Sequence, residues 1–262
     1  MKKITYTLCS LLLLTACSTS RVTKQQLAKA QARFTFVTNQ MGPNGAGVSD
    51  HSLSAISPNE QNAEGYVPML AWKKRKDAFN PKFYAPVGAL DTFSSSYLTW
   101  VTKKSEMSAR AKAHRLHRFR AERLALRMEQ LLGLAPEPET DTSRVFIEIW
   151  VKEKDLFRPC RDPEISDQSC SLYFPRGAYV AMNRAYDTVY QSLIENNIRK
   201  NPPAGQSGYW TPWTRMGYTY DWHPRNRSHI GMSEYIIRQG AIVKIKAKTS
   251  TSEWIRANVP SN

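Results

Sequence analysis

Val145-Phe146-Ile147-Glu148-Ile149-Trp150-Val151 consists almost wholly of β-branched and aromatic residues, which pack well on a pleated, half-buried surface. It reads as a strand. What precedes it reads as a helix. Residues 103–134 contain no Pro or Gly before Gly133, and Ala, Arg, Leu, Met and Glu dominate them. Gly133 and then Pro136 mark the helix end. Nine Lys/Arg and three Glu lie between Lys103 and Glu129, so this helix is strongly basic. Leu116, Phe119, Leu124, Leu126, Met128, Leu131 and Leu132 form an apolar stripe that widens toward its C-terminal half. That half is expected on a core, and the half holding Arg110, Lys112, Arg115, Arg118 and Arg120 in solvent. A basic amphipathic helix of this kind also suits an anionic membrane surface. Residues 135–143, Ala-Pro-Glu-Pro-Glu-Thr-Asp-Thr-Ser, read as a linker and the best domain boundary.

Beyond the strand, Asp155-Leu-Phe-Arg-Pro159 leads to Cys160 and Cys170, ten positions apart in a polar, turn-rich loop. Ser171-Leu-Tyr-Phe174 reads as a short strand that stops at Pro175. Residues 177–199 carry Tyr179, Met182, Tyr186, Val189, Tyr190, Leu193 and Ile194 at helical spacing. Residues 209–222 hold six aromatics among Thr, Arg and Asp, a composition that can line a cleft. Residues 231–245 read as strand, turn at Gln239-Gly240, strand. The fold class is therefore α+β: one long basic helix, then a small mixed domain of short strands with a second helix. The expected division is 1–16, 17–65, 66–134 and 144–262.

The N-terminal part has a different character. Lys2 and Lys3 precede an apolar run ending in Leu11-Leu12-Leu13-Leu14, then Thr15, Ala16 and Cys17. That is the layout of a secretory signal, too short in its apolar core to span a bilayer. Residues 18–33 have helix-forming composition with little apolar face and read as a tether. Residues 39–64 are rich in Gly, Asn, Ser and Pro and read as open loop. Residues 66–102 are aromatic, with Tyr66, Trp72, Phe93, Tyr97 and Trp100 among them, and enclose the cluster Lys73-Lys74-Arg75-Lys76. Aromatics in the core and lysines on the surface is the simpler account of that stretch.

Leu14-Thr15-Ala16-Cys17 resembles the lipobox of bacterial lipoproteins. The resemblance implies that 1–16 is removed as a signal, that the Cys17 sulfur receives a diacylglycerol, and that the new amino terminus is acylated. Ser18 after the cysteine implies sorting to the outer membrane, facing the periplasm, in a Gram-negative source. An ordinary secretory signal with an incidental cysteine is the alternative. Export then bears on the rest of the sequence. The chain holds 37 Lys+Arg against 22 Asp+Glu, a formal charge of +15. Outside the cytosol the candidate anionic partners are phospholipid, lipopolysaccharide or peptidoglycan groups, the alternatives being a protein partner or a solvated basic surface with no partner, and nucleic acid is not expected. Export also permits Cys160 and Cys170 to pair as a disulfide.

No nucleophile elbow, His-Glu-x-x-His zinc motif or phosphate loop occurs. His223 and His229 with Asp221 or Glu234 fit no common metal spacing, and no metal or other cofactor is expected. Residues 233–245, from Ser233-Glu234-Tyr235 through Gly240-Ala241 to Ile245, resemble the closing strands of ADP-ribosyltransferase-like folds. That resemblance implies NAD as substrate, Glu234 holding its ribose, and Arg158 binding its phosphate. An ordinary β-hairpin is the other reading. Two functions follow: a lipid-anchored envelope protein with a binding or structural role, or an NAD-processing enzyme that needs Arg158 and Glu234 in one cleft.

Overall fold

The computed structural model describes residues 22–41, 52–78, 80–86, 91–137, 143–172, 183–199 and 212–259. The expected signal segment 1–16, Cys17, Tyr209 and Trp210 lie outside them. The elements in chain order are α1 (Lys24–Met41), β1 (Tyr66–Lys74), α2 (Arg75–Ala78), β2 (Tyr84–Pro86), β3 (Thr92–Ser95) and β4 (Thr99–Lys103). There follow α3 (Lys104–Ala113), α4 (Ala121–Leu131), β5 (Arg144–Lys152), β6 (Leu156–Phe157) and α5 (Asn183–Arg199). The chain closes with β7 (Tyr218–Tyr220), β8 (Ile230–Ser233), β9 (Tyr235–Ile237), β10 (Ile242–Ser250) and α6 (Thr251–Asn258). The class is α+β, as the sequence indicates.

Eight strands form one sheet in the order β2-β3-β10-β5-β1-β4-β9-β6, and every pairing is antiparallel. The sheet cannot be flat. β3 and β4 are four strand-to-strand steps apart, about 19 Å across a flat sheet at the usual spacing. Only residues 96–98 connect them, a reach of at most about 14 Å. The sheet therefore curls until its two sides approach. The turn at 238–241 fixes the curl: Arg238 N–H donates to the Asp155 carbonyl and Gly240 N–H to the Ser95 carbonyl. A bulge between Ile245 and Ala247 bends β10 in the same region.

Alternation along the strands then makes two cores. Val67, Met69 and Ala71 of β1, Val145, Ile147, Ile149 and Val151 of β5, and Tyr235 and Ile237 of β9 point inside the curl. Leu70, Trp72 and Phe146 point outside, where α3, α4 and α6 cover them with Met107, Leu124, Met128, Leu131 and Trp254. α5 covers a separate outer area with Tyr186, Tyr190 and Leu193 on Phe157 and Ile236.

Several expectations are corrected. The boundary at 135–143 does not separate domains, because β1 and β5 pair over nine consecutive positions across it. The basic helix is two helices. α3 stops at Ala113, Arg115 takes a left-handed conformation (φ 52°), and α4 begins at Ala121. The break lets Met107 and Ala111 of α3 as well as Leu124 and Met128 of α4 face the sheet, with Leu116 wholly buried between them. Propensity alone gives no sign of it, since every residue there is a fair helix former.

The 17–65 segment is no mere tether within its described residues. α1 buries Ala30, Phe34 and Val37 against Tyr220 and Trp222, with the Phe34 and Trp222 rings edge-on at 5.6 Å. Leu53 and Ile56 are 2% and 1% exposed. A few apolar residues in a polar stretch suffice when each meets an aromatic partner. The strands flanking the Gln239-Gly240 turn do not pair with each other: β9 joins β4 and β6, while β10 joins β3 and β5. Ser171 and Leu172 are not in a strand, and 173–174 lie outside the described residues. α6 is set by a capping box in which Ser250 and Glu253 satisfy each other's backbone N–H groups.

Candidate functional site

Between the area covered by α3, α4 and α6 and the area covered by α5, the described residues leave the outer face of the sheet open. A cavity of about 750 Å³ occupies the gap. Leu70, Trp100, Thr102 and Glu234 form its floor, and Leu134, Leu193 and Trp213 stand in its walls.

Each position follows from local structure. α4 ends in a Schellman motif: Leu134 N–H donates to the Glu129 carbonyl and Gly133 N–H to that of Gln130, with Gly133 at φ +66°. The motif turns Leu132 and Leu134 into the cavity. Gly231 of β8 lies flush beneath this helix end, where a Cβ would stand 2.1 Å from Thr219 Oγ1 and 2.5 Å from the Leu131 carbonyl. Thr219 Oγ1 joins the two elements, donating to the Leu131 carbonyl at 2.6 Å and accepting from Met232 N–H at 2.7 Å. Trp100 lies opposite Ile236 on the outer face, and its ring meets Trp213 edge-on at 5.9 Å. Trp213 in turn contacts Tyr190 of α5 at 5.7 Å.

Glu234 sits at the β8–β9 junction, its N–H donating to the Gly217 carbonyl at 2.8 Å. Its side chain is on the outer face, one residue before inward-facing Tyr235. Its Oε2 is buried and unpartnered among the described residues, as are Thr102 Oγ1 and Trp213 Nε1 of the same cavity. Burial alone pushes its carboxyl up to about 8, with no nearby cation to oppose the shift. No Lys, Arg, His or Asp belongs to the described lining. Trp72 and Tyr97 complete an aromatic surround.

Arg158 is elsewhere. Its guanidinium donates to Asp167 Oδ1 (2.8 Å) and to the carbonyls of Asp167 (2.6 Å), Ser169 (2.7 Å) and Ser54 (3.1 Å). It also lies 5.8 Å from the Tyr235 ring, inside the curl. Tyr235 and Glu234 face opposite sides of the sheet, so the structure does not bring Arg158 and Glu234 into one cleft. Arg158 instead holds the cysteine loop, where Cys160 and Cys170 lie at disulfide distance with Cα atoms 6.4 Å apart.

Comparison of the chain with protein-family models, curated proteins and solved structures gives no match. The site must be read from its own geometry.

The histidine segment is a packing device. The His229 ring stacks on Tyr220 at 4.7 Å, and Asp221 is bound by Arg127 through two hydrogen bonds of 2.9 and 2.7 Å. No group of three or more metal-ligating side chains occurs among the described residues. No described helix is long and apolar enough to cross a membrane. Of the aromatics in 209–222, Trp213 reaches the cavity with its neighbour Pro212, and Tyr220 touches it. Tyr218 and Trp222 are wholly core. Thr102, Leu134 and Ser192 were not marked by sequence, and Leu132 was marked only as part of an apolar helix stripe; only the gap between two helical covers gives them a role.

Proposed function

We propose that this chain is a lipid-anchored protein of the bacterial envelope that holds a small, largely apolar ligand in the cavity at Glu234. The anchor is the acylated Cys17 expected from Leu14-Thr15-Ala16-Cys17. The observation that carries the binding reading is an aromatic cavity in which three buried polar atoms, on Glu234, Thr102 and Trp213, have no partner among the described residues. Unpaired buried polar groups cost about 1–3 kcal/mol each, and a ligand that pairs them recovers that cost. The volume falls in the usual range for small-molecule sites, about 300–1,000 Å³. The NAD-processing reading has less support, because no cation for the dinucleotide phosphates lines the described cavity.

The test uses the unlipidated chain starting at Ser18, which retains every described element, with N-phenyl-1-naphthylamine as a fluorescent apolar probe. One probe per chain is expected to bind. Ser192→Trp, which fills the cavity from α5, is expected to weaken binding at least tenfold while circular dichroism is unchanged. Probe binding that ignores Ser192→Trp would remove the site. For the anchor, Cys17→Ser is expected to shift the protein out of the membrane fraction, and retention there would refute lipidation.

A further inference from the structure

The cavity has one ionisable carboxyl and, among its described lining, no cation to balance it. We infer that the ligand is a hydrophobic amine, whose ammonium sits against Glu234 among the tryptophan rings while its apolar body fills the space toward Leu134 and Leu193. This rests on the reading of the cavity as a ligand site and adds the chemical class.

Each class of ligand would meet a different environment in this cavity. An anion finds a carboxyl and no counter-charge. A neutral hydrocarbon leaves Glu234 Oε2 as unsatisfied as before. An ammonium supplies three donors and the missing charge, and converts a lone buried acid into an ion pair. Trp100 and Trp213 line the cavity, as does Trp72, whose ring already carries the Arg144 guanidinium at 4.7 Å. Indole faces attract cations more strongly than other side chains, and more so when water is excluded. The unpartnered Trp213 N–H is a donor only, so an oxygen on the amine's body would be matched there.

The empty site holds Glu234 protonated at neutral pH, and the amine arrives as ammonium, since alkylamines ordinarily titrate near pH 10. Forming the carboxylate–ammonium pair releases one proton from Glu234 to solvent. The other described charged groups on the surrounding elements are engaged or face away, Arg110 on the Gly231 carbonyl at 2.9 Å and Arg144 on Glu137 at 2.9 Å among them. Lys103 of β4 binds Glu60 at 2.6 Å, and Arg238 lies 5.0 Å from the Phe157 ring. Arg161 and Arg215 act on the Tyr190 phenol. Glu106, on the far side of Ser233, accepts the Ser233 N–H, and burial raises its carboxyl. Glu195 of α5 is exposed, and Glu129 accepts the Glu137 N–H. Tyr97 and Tyr220 complete the titratable lining, and burial pushes the Tyr220 phenol above its ordinary range.

Calorimetric titration of the unlipidated chain with octylamine, octanol and octanoate at pH 6, 7, 8 and 9 separates the possibilities. Octylamine is expected to bind about tenfold tighter per pH unit from 6 toward 8 and then to level off, with one proton released below 8. Octanol is expected to bind more weakly with no such slope, and octanoate to bind worst as pH rises. Glu234→Gln is expected to abolish the octylamine slope and the proton release. Equal affinity for octylamine and octanol, or an octylamine slope that survives Glu234→Gln, would overturn the amine assignment while leaving the ligand site in place. Failure of all three compounds to bind would overturn both.

Discussion

Glu234→Gln is expected to stabilise the folded protein, and to do so only above acidic pH. The folded carboxyl titrates at about 8 against an ordinary value of 4.5, and the cause is burial. Below 4.5, folded and unfolded chains both hold the proton, and the residue has no effect on stability. Between 4.5 and 8 the unfolded chain releases its proton while the folded chain keeps it, so each pH unit costs the folded state about 1.4 kcal/mol. Above 8 both forms are ionised and the cost stays at its maximum. Gln has nearly the same shape and no charge. The variant should therefore match the parent near pH 4.5, gain on it steadily, and plateau above pH 8 at about 3 kcal/mol by urea unfolding. This is below the full linkage value because the side chain is only partly buried as a residue. A difference that does not change between pH 5 and 9 would mean that Glu234 is solvated.

Arg127→Met is expected to be among the most damaging single substitutions. Arg127 and Asp221 form a two-pronged ion pair with side-chain exposures of 7% and 0%. Burial works against the Asp221 carboxylate, but the Arg127 guanidinium and the Asn226 amide outweigh it and hold its titration below the ordinary range. Burial, together with the Arg127 charge, also lowers the imidazoles of His114 and His223. Removing one member of a buried pair leaves an uncompensated charge and typically costs about 3–5 kcal/mol. For a chain of this size that lowers the melting temperature by about 6–15 °C. Arg127→Met combined with Asp221→Leu should recover at least half of the loss, because the second change removes the stranded charge. A single variant that melts within about 2 °C of the parent would contradict the role.

This pair also bears on the cavity. Arg127 is one turn before the end of α4, and the same strip is joined to the 218–222 segment three times more, once through the Thr219 hydroxyl on the Leu131 carbonyl at 2.6 Å. Trp222 N–H donates to the Gln130 carbonyl, and its indole N–H to that of Leu134 at 3.0 Å. Leu132–Leu134 thus inherit their position from a polar clamp on their far side.

The strand at 145–151 was plain from its β-branched residues, and it runs through β5, Arg144–Lys152. The end of α4 was equally plain, because Gly133 and Pro136 act locally. What composition could not reveal was long-range. Arg115 breaks the basic helix because two helices must both face one sheet, a demand that no residue near it expresses. α1 has little apolar face as a sequence; Phe34 and Val37 are decisive only because Trp222 and Tyr220 wait for them. The Gln239-Gly240 turn was visible, but the divergence of its strands depends on the curl, which comes from the three-residue link between β3 and β4. Glu234 was singled out by a resemblance that paired it with Arg158. The geometry sets Glu234 apart from that arginine and among tryptophans that the sequence offered mainly as core.

The most direct test of the site is a carbon-13 titration of the Glu234 side-chain carboxyl, identified by its loss in Glu234→Gln. The site described here requires a carboxyl that is still protonated at pH 7, with a midpoint near 8 that falls on addition of octylamine. A midpoint near 4.5, unmoved by octylamine, would describe a solvated surface glutamate and would contradict both the burial of Glu234 in the aromatic cavity and the ligand assigned to it.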